Sequence, residues 1–443
     1  MTLLLRGVRN ARVMPSGCSV DKRVVRFLLV NNHCISDPTA GVTQSLRTIV
    51  EWLHDAGHDC RILTTARFEA PVIFTIEDHL TQQGVDPSLL VTQPRRTKGQ
   101  WKKLGGPDRP VVHYSVRGVP VTLLFTRHND ESRPDRAEAS QYLALLETLL
   151  DDFAPDQLIA CNGHPMIFSA MAEARRRGIT TAFAVRGYGY YEPRYFEHVD
   201  HAFTCSQFLT DVYREKVGLT STPLEPPIDW STVVAPTESR AFVTFVNPSP
   251  HKGLFLFARL ADMLGARRPD IPVLVVQSGH SGGSLNAIPG VDFSRYPQIM
   301  AAPAVPTPAD YFALTRLLVA PSIWEEPFGR VAAEAMINRI PPLVSNRGSL
   351  PHVVQGDFSS GGGGRVLPVP DWMTVDAMRL PTTDEIEPWY EAVCALWDDA
   401  ALYDAMSARA RAIADARYSE AVSRQRHVDY FTSLKPAGRP IVG

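Results

Sequence analysis

One structural unit occurs twice in this chain, and it limits the possible fold more than any other feature. VVRFLLVNN, residues 24–32, is a continuous apolar run that ends in polar residues, as a buried parallel strand does. A loop follows, and apolar residues then recur at helical spacing, at positions 42, 46, 49, 50 and 53. Gly57 stands where a helix C-cap belongs, and CRILTT is the next apolar strand.

The same rhythm returns after residue 240, without identity of sequence. AFVTFVN is typical of a strand, LFLFARLADML of a helix and IPVLVVQSG of a second strand. Alternation of strand and helix indicates a parallel sheet covered by helices on both faces. The recurrence therefore predicts an α/β protein with two doubly wound, Rossmann-like domains in tandem.

A proline-rich segment separates the two units. STPLEPPIDWSTV contains Pro223, Pro226 and Pro227, which resist both a helix and a central strand, so we interpret it as the crossover between domains. The predicted division is a loosely ordered leader over residues 1–23, an N-terminal domain over 24–226 and a C-terminal domain over 227–418.

Several segments outside the repeated unit are interpreted separately. VVHYSVRGVPVTLLFTRHN predicts a hairpin around Arg117 and Gly118, and SSGGGGRVLP a flexible loop. Helical patterns cover 388–417 and 419–434. The basic stretch from Arg95 to Lys103, around Trp101, is favoured as a solvated loop rather than an anchor helix, because glycines and prolines flank it.

Composition excludes several classes of protein. With 443 residues and a formal net charge of −2, bulk electrostatics do not favour a nucleic-acid partner. The six cysteines are scattered and include no CxxC, which indicates reduced thiols and a cytoplasmic location. No segment reaches the roughly 18 apolar residues of a membrane span, so membrane contact is expected to be peripheral at most.

The stretch WEEPFGRVAAEAM places carboxylates on both sides of a predicted helix start. Apolar spacing makes the helix begin near Gly329, with Glu326 in the loop before it and Glu334 just over one turn inside. The unpaired N–H groups of residues 328–331 and the positive end of the helix dipole would hold a phosphate. A nucleotide sugar would use all these features; a plain capped helix with solvated glutamates is the alternative.

In that hypothesis each residue has a distinct task. Glu334 accepts hydrogen bonds from a ribose diol, as acidic residues do in dinucleotide folds, and Glu326 faces the hydroxyls of the transferred sugar. Gly329 allows close approach of the backbone. FVNPSPHKG lies at the end of the first strand of the second unit, so Lys252 would bring a positive charge to the diphosphate, unless it is an ordinary surface lysine.

The order NPSPHKG, VLVVQSG and VAPSIWEEPFGRVAAEAMINRIPPLVSNRGSLPHVV resembles the retaining glycosyltransferases of the GT-B fold, in particular family four. The mark of that family is a Glu-x7-Glu pair, which Glu326 and Glu334 match in spacing and context. The resemblance is strong over residues 240–360 and weaker over 24–65 and 155–230.

The resemblance implies a fold of two Rossmann-like domains facing a central cleft, with the last helix, 419–434, crossing back onto the N-terminal domain. It implies a donor site of Gly41, Lys252, Glu326, Phe328, Gly329, Arg330, Val331 and Glu334. Lys252 would neutralise the β-phosphate and Gly41 would let its backbone approach the diphosphate. Where the family often has an arginine, six residues before Lys252, this chain has Val246, so Arg330 is the candidate for a second cation.

Further residues are assigned to the sugar and acceptor side. The resemblance implies that His164, in CNGHP, contacts or orients the sugar, and we count it as catalytic with Lys252 and Glu326; a hydrogen-bonded loop histidine is the alternative. VRGYGYYEPRY also follows a strand, so Arg186 and Tyr188 are candidates for the acceptor side, with packing at a domain interface as the alternative.

The sequence thus predicts a retaining glycosyltransferase that moves a sugar from a nucleoside-diphosphate sugar to an acceptor hydroxyl, on an unknown glycan, lipid or small molecule. No bound cofactor is expected beyond this co-substrate. No metal ligands are assigned, because no DxD or His/Asp cluster occurs in a suitable context. The alternatives are a two-domain nucleotide-sugar epimerase and a non-catalytic sugar-nucleotide-binding protein. An NAD-dependent dehydrogenase is disfavoured because no GxGxxG follows RFLLV.

Overall fold

The structure is a computed structural model of the chain, and it describes residues 23–38, 40–69, 72, 74–86, 109–128, 134–277, 288–305, 307–436 and 441–442. The predicted leader, apart from Arg23, and the basic stretch from Arg95 to Lys103 lie outside the described residues.

The first domain is built on one eight-stranded sheet. Its described elements are β1 (Arg26–Val30), α1 (Gly41–Asp55), β2 (Asp59–Thr65), α2 (Ile76–Gln82), β3 (Val111–Val116), β4 (Val119–Leu124), α3 (Arg136–Asp152), β5 (Gln157–Cys161), α4 (Pro165–Arg176), β6 (Thr180–Val185), β7 (His201–Thr204), α5 (Gln207–Val217) and β8 (Ser221–Pro223). The strand order is β3-β4-β2-β1-β5-β6-β7-β8, and every neighbouring pair is parallel except β3 with β4.

The second domain is built on a six-stranded parallel sheet in the order β11-β10-β9-β12-β13-β14. The elements that follow β8 are α6 (Trp230–Val233), β9 (Phe242–Val246), α7 (Leu254–Arg267), β10 (Val273–Val276), β11 (Ile299–Ala302), α8 (Pro308–Phe312), β12 (Thr315–Ala320), α9 (Arg330–Ile337), β13 (Pro342–Ser345), α10 (Leu350–Val353), β14 (Arg365–Leu367), α11 (Thr383–Asp398), α12 (Ala400–Tyr418) and α13 (Glu420–Ser433).

Both sheets grow in two directions from their first strand, which confirms the predicted doubly wound α/β class. In the first sheet β2 and β5 lie on opposite sides of β1, and in the second β10 and β12 lie on opposite sides of β9. Phe27 to Val30 of β1 are 0% exposed. Their continuous apolar sequence follows from this burial, because helices cover both faces of a parallel sheet.

The predicted hairpin is confirmed. β3 and β4 pair antiparallel with Val116 opposite Val119, so the turn consists of Arg117 and Gly118. Both turn residues have positive φ, 46° and 84°. Two positive φ values in a two-residue turn match the right-handed twist of the strands, and glycine adopts the second without steric strain.

Two sequence interpretations need correction. The helical stretch 388–417 is two helices, because Asp399 adopts an extended backbone and its carboxylate accepts the N–H of Leu402 at 2.9 Å, which starts α12. The glycine-rich stretch SSGGGGRVLP is not all loop: Arg365–Leu367 forms edge strand β14 on β13. Pro223, by contrast, lies at the end of edge strand β8 and not in a central strand, as predicted.

The last helix, α13, packs on α1 of the first domain. The ring of Phe431 is fully buried, 6.4 Å from that of Phe27 and 5.4 Å from that of Phe203. Gln157 Nε2 donates to the Phe431 carbonyl at 2.8 Å. Chain segments join the two sheets twice, once before α6 and once before α13, and Trp230 Nε1 ties them together by donating to the Tyr418 carbonyl at 2.8 Å.

None of the helices in the described ranges is both long and apolar enough to cross a membrane.

Candidate active site

A cavity of about 600 Å³ lies between the carboxyl ends of the two parallel sheets. Its first-domain wall contains Gly41, Val42, Ser45, Glu69, Arg186, Cys205 and Pro226. Its second-domain wall contains, among others, Val246, Asn247, Lys252, Tyr311, Ser322, Glu326, Phe328, Gly329, Arg330, Val331 and Glu334.

The topology explains why these positions meet. The strand order reverses at β1 in the first sheet and at β9 in the second. Loops diverge on either side of such a reversal and leave a crevice beyond the carboxyl ends of the strands. Gly41 follows β1, Lys252 follows β9 and Glu326 follows β12, so all three border this crevice.

Lys252 and Glu326 form an ion pair in the cavity. The Lys252 Nζ lies 2.5 Å from Glu326 Oε1, with the lysine side chain 37% and the glutamate side chain 13% exposed. Lys252 ends a short helical turn, and Gly253, with φ of 87°, leads into α7. A Cβ at position 253 would lie 2.0 Å from the Pro321 carbonyl oxygen, so only glycine allows the two loops this contact.

Ser322 orients the Glu326 carboxylate. Its Oγ lies 2.9 Å from Glu326 Oε1 and 3.1 Å from the carbonyl oxygen of His251, so its single proton is shared between two acceptors. Ser345 Oγ in turn donates to the Ser322 carbonyl at 2.6 Å. Both bonds to the Glu326 side chain reach Oε1, and no side chain in the described ranges donates to Oε2. The second carboxylate oxygen is therefore available to a ligand.

Glu334 forms a second ion pair. It lies in α9 with its side chain 5% exposed, and Arg330 Nε donates to its Oε1 at 2.6 Å. Burial raises the pKa of Glu334 above its ordinary value, while the Arg330 charge and hydrogen bond oppose that rise. Arg330 thus lines the cavity as predicted, but its Nε–H is bound to Glu334 instead of being directed at a leaving group.

The start of α9 lies between the two glutamates. Gly329 is the N-cap, with φ of 89°, and the helix begins at Arg330. A Cβ at position 329 would lie 2.5 Å from Leu350 Cδ2. Phe328, Gly329 and Val331 all line the cavity, so the unpaired N–H groups of this helix start border the same space as Lys252.

Gly41 approaches the cavity from the other domain. It is the first residue of α1, after an extended N-cap residue, Ala40. A Cβ at position 41 would meet no atom within 4 Å, so space is open beside this backbone. A ligand in the cavity can therefore come close to the main chain at the start of α1.

His164 is not among the residues that line the cavity. It is the N-cap of α4, and its Nδ1 accepts the N–H of Met166 at 3.2 Å. This placement corresponds to the alternative interpretation, a hydrogen-bonded residue at a strand end. Lys252 and Glu326, the other two residues predicted to be catalytic, do line the cavity.

Arg186 and Tyr188 follow β6 and have different environments. Arg186 lines the cavity, but its Nη1 donates to the Leu224 carbonyl at 3.3 Å and its guanidinium lies 5.1 Å from the centre of the Phe203 ring. Tyr188 is not a cavity residue; its hydroxyl donates to the Glu325 carbonyl at 2.6 Å and so connects the two domains.

Tyr311 and Ser322 are polar cavity residues that were not predicted from the sequence. Tyr311, in α8, is buried, and its pKa is raised by burial first and by the neighbouring Glu334 charge second. Ser322 stands directly after β12 and its following proline, at the carboxyl end of a central strand. Ser322 could have been predicted as a cavity residue from that position. Tyr311 could not, because only the packing of α8 brings it to the cavity.

Among the residues that the structure describes, no three histidine, cysteine, aspartate or glutamate side chains are grouped so as to hold a metal ion.

Comparison with known proteins agrees with this architecture. Residues 294–375, which include α9 and the segment before it, match the sequence profile of the family described as glycosyl transferases group 1. No curated protein sequence matches the chain.

Three solved structures illustrate the similarity of fold. A glycosyltransferase from Rickettsia africae ESF-5 has a TM-score of 0.63 and 12% sequence identity, over 92% of this chain and 98% of its own. The pneumococcal O-GlcNAc transferase GtfA, in complex with UDP and GlcNAc, has a TM-score of 0.62 and 12% identity, over 93% of this chain and 100% of its own. Anabaena HepE, in complex with UDP and glucose, has a TM-score of 0.57 and 14% identity, over 93% and 100%. The chain therefore has the GT-B fold, and the matched segment in its second domain supports its identification as a glycosyltransferase.

Proposed function

We propose that the protein transfers a sugar from a nucleoside-diphosphate sugar to an acceptor hydroxyl, with retention of anomeric configuration and without a divalent metal, as family four glycosyltransferases do. One observation carries the proposal: Lys252, Glu326, Glu334 and the start of α9 border a single cavity. Similar structures with bound UDP and glucose, or UDP and GlcNAc, support a donor of this kind.

The chemistry requires positive charge where the diphosphate leaves. In the transition state the sugar becomes oxocarbenium-like while negative charge grows on the leaving phosphate. In the proposal, Lys252 and the unpaired N–H groups at the start of α9 supply positive charge at that position, which would stabilise the transition state without reorganisation of solvent.

The two glutamates address different parts of the donor. In the proposal Glu334 binds the ribose hydroxyls and Glu326 the hydroxyls of the transferred sugar. Each carboxylate is bound to its own cation, Arg330 or Lys252, and they lie on either side of a helix start. A pair of carboxylates acting on one glycosidic bond from opposite faces, as in glycosidases, is not formed by this arrangement.

We further propose that the protein is cytoplasmic and that its acceptor binds against the first domain. The similar structures favour a glycan as the acceptor. The two domains are in direct contact beside the cavity. The side chains of Tyr188, Cys205 and Ser206 donate to carbonyl oxygens of the loop before α9. Closure of the walls around both substrates would exclude water that otherwise hydrolyses the donor.

A thermal-shift screen of UDP-, GDP-, ADP- and dTDP-sugars tests donor binding, because a ligand specific to the native state raises the melting temperature. The stabilising donor is then incubated with an acceptor panel, with and without EDTA, and the products are followed by NMR. A transferred sugar with the anomeric configuration of the donor, formed in EDTA, is expected. An epimerised donor identifies the epimerase alternative, and binding without turnover or hydrolysis identifies a binding protein.

A further inference from the structure

The tryptophans of this chain differ in how their ring faces are covered. Six of the seven lie in the described ranges, and two of them, Trp52 and Trp389, are buried. Three others are covered by an arginine guanidinium at 3.8–5.0 Å from the ring centre: Trp230 by Arg411, Trp372 by Arg379 and Trp397 by Arg316.

Trp324 is the exception. It is 38% exposed, and no cation from the described residues lies over its ring. The Tyr188 ring is tilted by 40° at 6.0 Å, and the His251 ring meets it at 67° and 5.3 Å. We call Tyr188, His251 and Trp324 the aromatic rim. Tryptophan is enriched at binding surfaces, because its ring combines a large apolar area with a polar N–H.

The aromatic rim lies next to the candidate active site. Trp324 is two residues before Glu326 in the same loop, and its N–H donates to the carbonyl of His251, the neighbour of Lys252. Tyr188 comes from the other domain and is bound to the Glu325 carbonyl. The rim thus combines residues of both domains beside the loop that carries Glu326, which the proposed function assigns to the transferred sugar.

We propose that the aromatic rim is a sugar-binding subsite, in which the Trp324 ring stacks on the C–H face of a neutral pyranose of the acceptor. This inference rests on the proposed function. The C–H groups of a pyranose carry slight positive charge and match the negative face of an aromatic ring. The exposed carboxylate of Glu325, next in sequence, accepts hydrogen bonds from the sugar hydroxyls.

The charge at the rim selects against other occupants. Glu325 would repel a phosphate, a sugar acid or an anionic lipid headgroup. Burial is the main cause that raises the pKa of Tyr188, and the Glu325 charge is the second. The raised pKa keeps the Tyr188 hydroxyl protonated, so that it can donate a hydrogen bond. A membrane-binding surface pairs several adjacent apolar side chains with basic ones, whereas here a single indole stands beside a carboxylate and the exposed His251.

The direct test is ¹⁹F NMR of the full chain labelled with 5-fluorotryptophan. The Trp324 signal is assigned by its loss in Trp324→Phe, and the protein is titrated with the methyl glycosides of glucose, galactose, mannose and N-acetylglucosamine. We expect at least one glycoside to shift the Trp324 signal saturably while the signals of the arginine-covered tryptophans stay unchanged. If no glycoside does so, or if glycerol produces the same shift, the inference is wrong.

Lipid vesicles form the second arm of the same experiment. Vesicles of phosphatidylcholine and phosphatidylglycerol should leave the Trp324 signal in place. A shift with vesicles and none with glycosides would overturn the sugar subsite in favour of a membrane contact.

Kinetics separate this inference from the proposed function. Trp324→Ala should keep the thermal stabilisation by the nucleotide sugar, but lower kcat/KM for the acceptor roughly three- to tenfold, and Trp324→Tyr should restore most of the loss. Met378→Ala, which truncates another exposed apolar side chain, is the matched control and should change neither quantity. An unchanged acceptor kcat/KM in Trp324→Ala contradicts the subsite. If no nucleotide sugar stabilises the wild type or is turned over by it, the proposed function is wrong. The glycoside titration would still test the aromatic rim in that case.

Discussion

Lys252 and Glu326, 74 positions apart in the chain, form an ion pair with 2.5 Å between Nζ and Oε1. The proposed function assigns the two side chains to different parts of the donor, and in the structure they neutralise each other. A diphosphate that takes Lys252 as its partner would release Glu326 to the sugar hydroxyls. In the proposed function, donor binding and correct placement of the carboxylate would thereby be coupled.

Removal of the lysine should affect turnover more than binding. We expect Lys252→Ala to lower kcat about 10²- to 10³-fold, the usual loss when one fixed group that stabilises transition-state charge is removed. KM for the donor should change less, because the amide groups of α9 remain. Steady-state kinetics with the donor found by thermal shift provide the measurement. Lys435→Ala, which removes an exposed lysine, serves as the control; equal kcat in Lys252→Ala and wild type would refute the assignment.

Removal of Glu334 should weaken donor binding. Hydrogen bonds to a charged group contribute about 1.5–3 kcal/mol, so Glu334→Ala should raise the dissociation constant for the nucleotide sugar roughly 10- to 100-fold. Calorimetric titration of the donor measures this directly.

The control for Glu334→Ala is Asp415→Ala. Asp415 forms an ion pair with Arg411 at the same i,i+4 spacing, but on the surface of α12 and outside the cavity. That variant should bind the donor as the wild type does. If Glu334→Ala also binds normally, the ribose contact is made elsewhere.

The last helix should be required for stability of the first domain. Phe431 is fully buried against Phe27 and Phe203, and truncation of a buried phenylalanine typically costs about 3–5 kcal/mol. Phe431→Ala should therefore lower the free energy of unfolding by that amount, and deletion from Ser419 onward should lower the melting temperature further. Val422→Ala removes a 37% exposed side chain from the same helix and should have little effect. Unchanged melting after the deletion would show that the packing of α13 contributes nothing.

Acid should destabilise the protein partly through His427. This residue of α13 is 1% exposed; burial first, and the Arg186 and Arg426 charges in addition, lower its pKa to about 3. A histidine whose folded pKa lies below its unfolded value of about 6.5 contributes full stability above pH 6.5 and loses it as the pH falls toward 3. At pH 5 the loss is about 2 kcal/mol, from 1.36 kcal/mol per unit.

Urea unfolding at pH 7.5 and pH 5 checks this contribution. The fall in unfolding free energy between the two values should be smaller in His427→Gln than in the wild type by about that amount. His128→Gln, which removes an exposed histidine, should behave as the wild type. Identical pH dependence in all three proteins would mean that His427 is protonated to the same extent folded and unfolded.

Short-range patterns were sufficient for several features. The apolar run of β1, the helical spacing of α1 and the glycine that precedes α9 each depend on neighbouring residues, and each is where the sequence predicted it. The hairpin at Arg117 and Gly118 is equally local, because two positive φ values in a two-residue turn are a property of the turn itself.

Other features depended on contacts between distant segments. The edge strand Arg365–Leu367 lies in a glycine-rich sequence that has no strand signal of its own, and it forms because β13 offers an unpaired edge. His164 fits a helix cap as well as a ligand, and only the position of its loop decides which. From the sequence, Arg330 could be assigned to the leaving group. In the structure, one turn of α9 brings its Nε–H to Glu334.

The sequence by itself determined the fold class and most of the charged residues around the cavity, since strand period, helix period and the Glu-x7-Glu spacing are encoded within a few tens of residues. Tertiary structure alone decided which charges meet. The Lys252–Glu326 pair, the proximity of Tyr311 to Glu334 and the partial exposure of Trp324 all depend on segments that converge only in the fold. The free energy of a charge depends on the neighbouring groups and the solvent around it, and this convergence sets both.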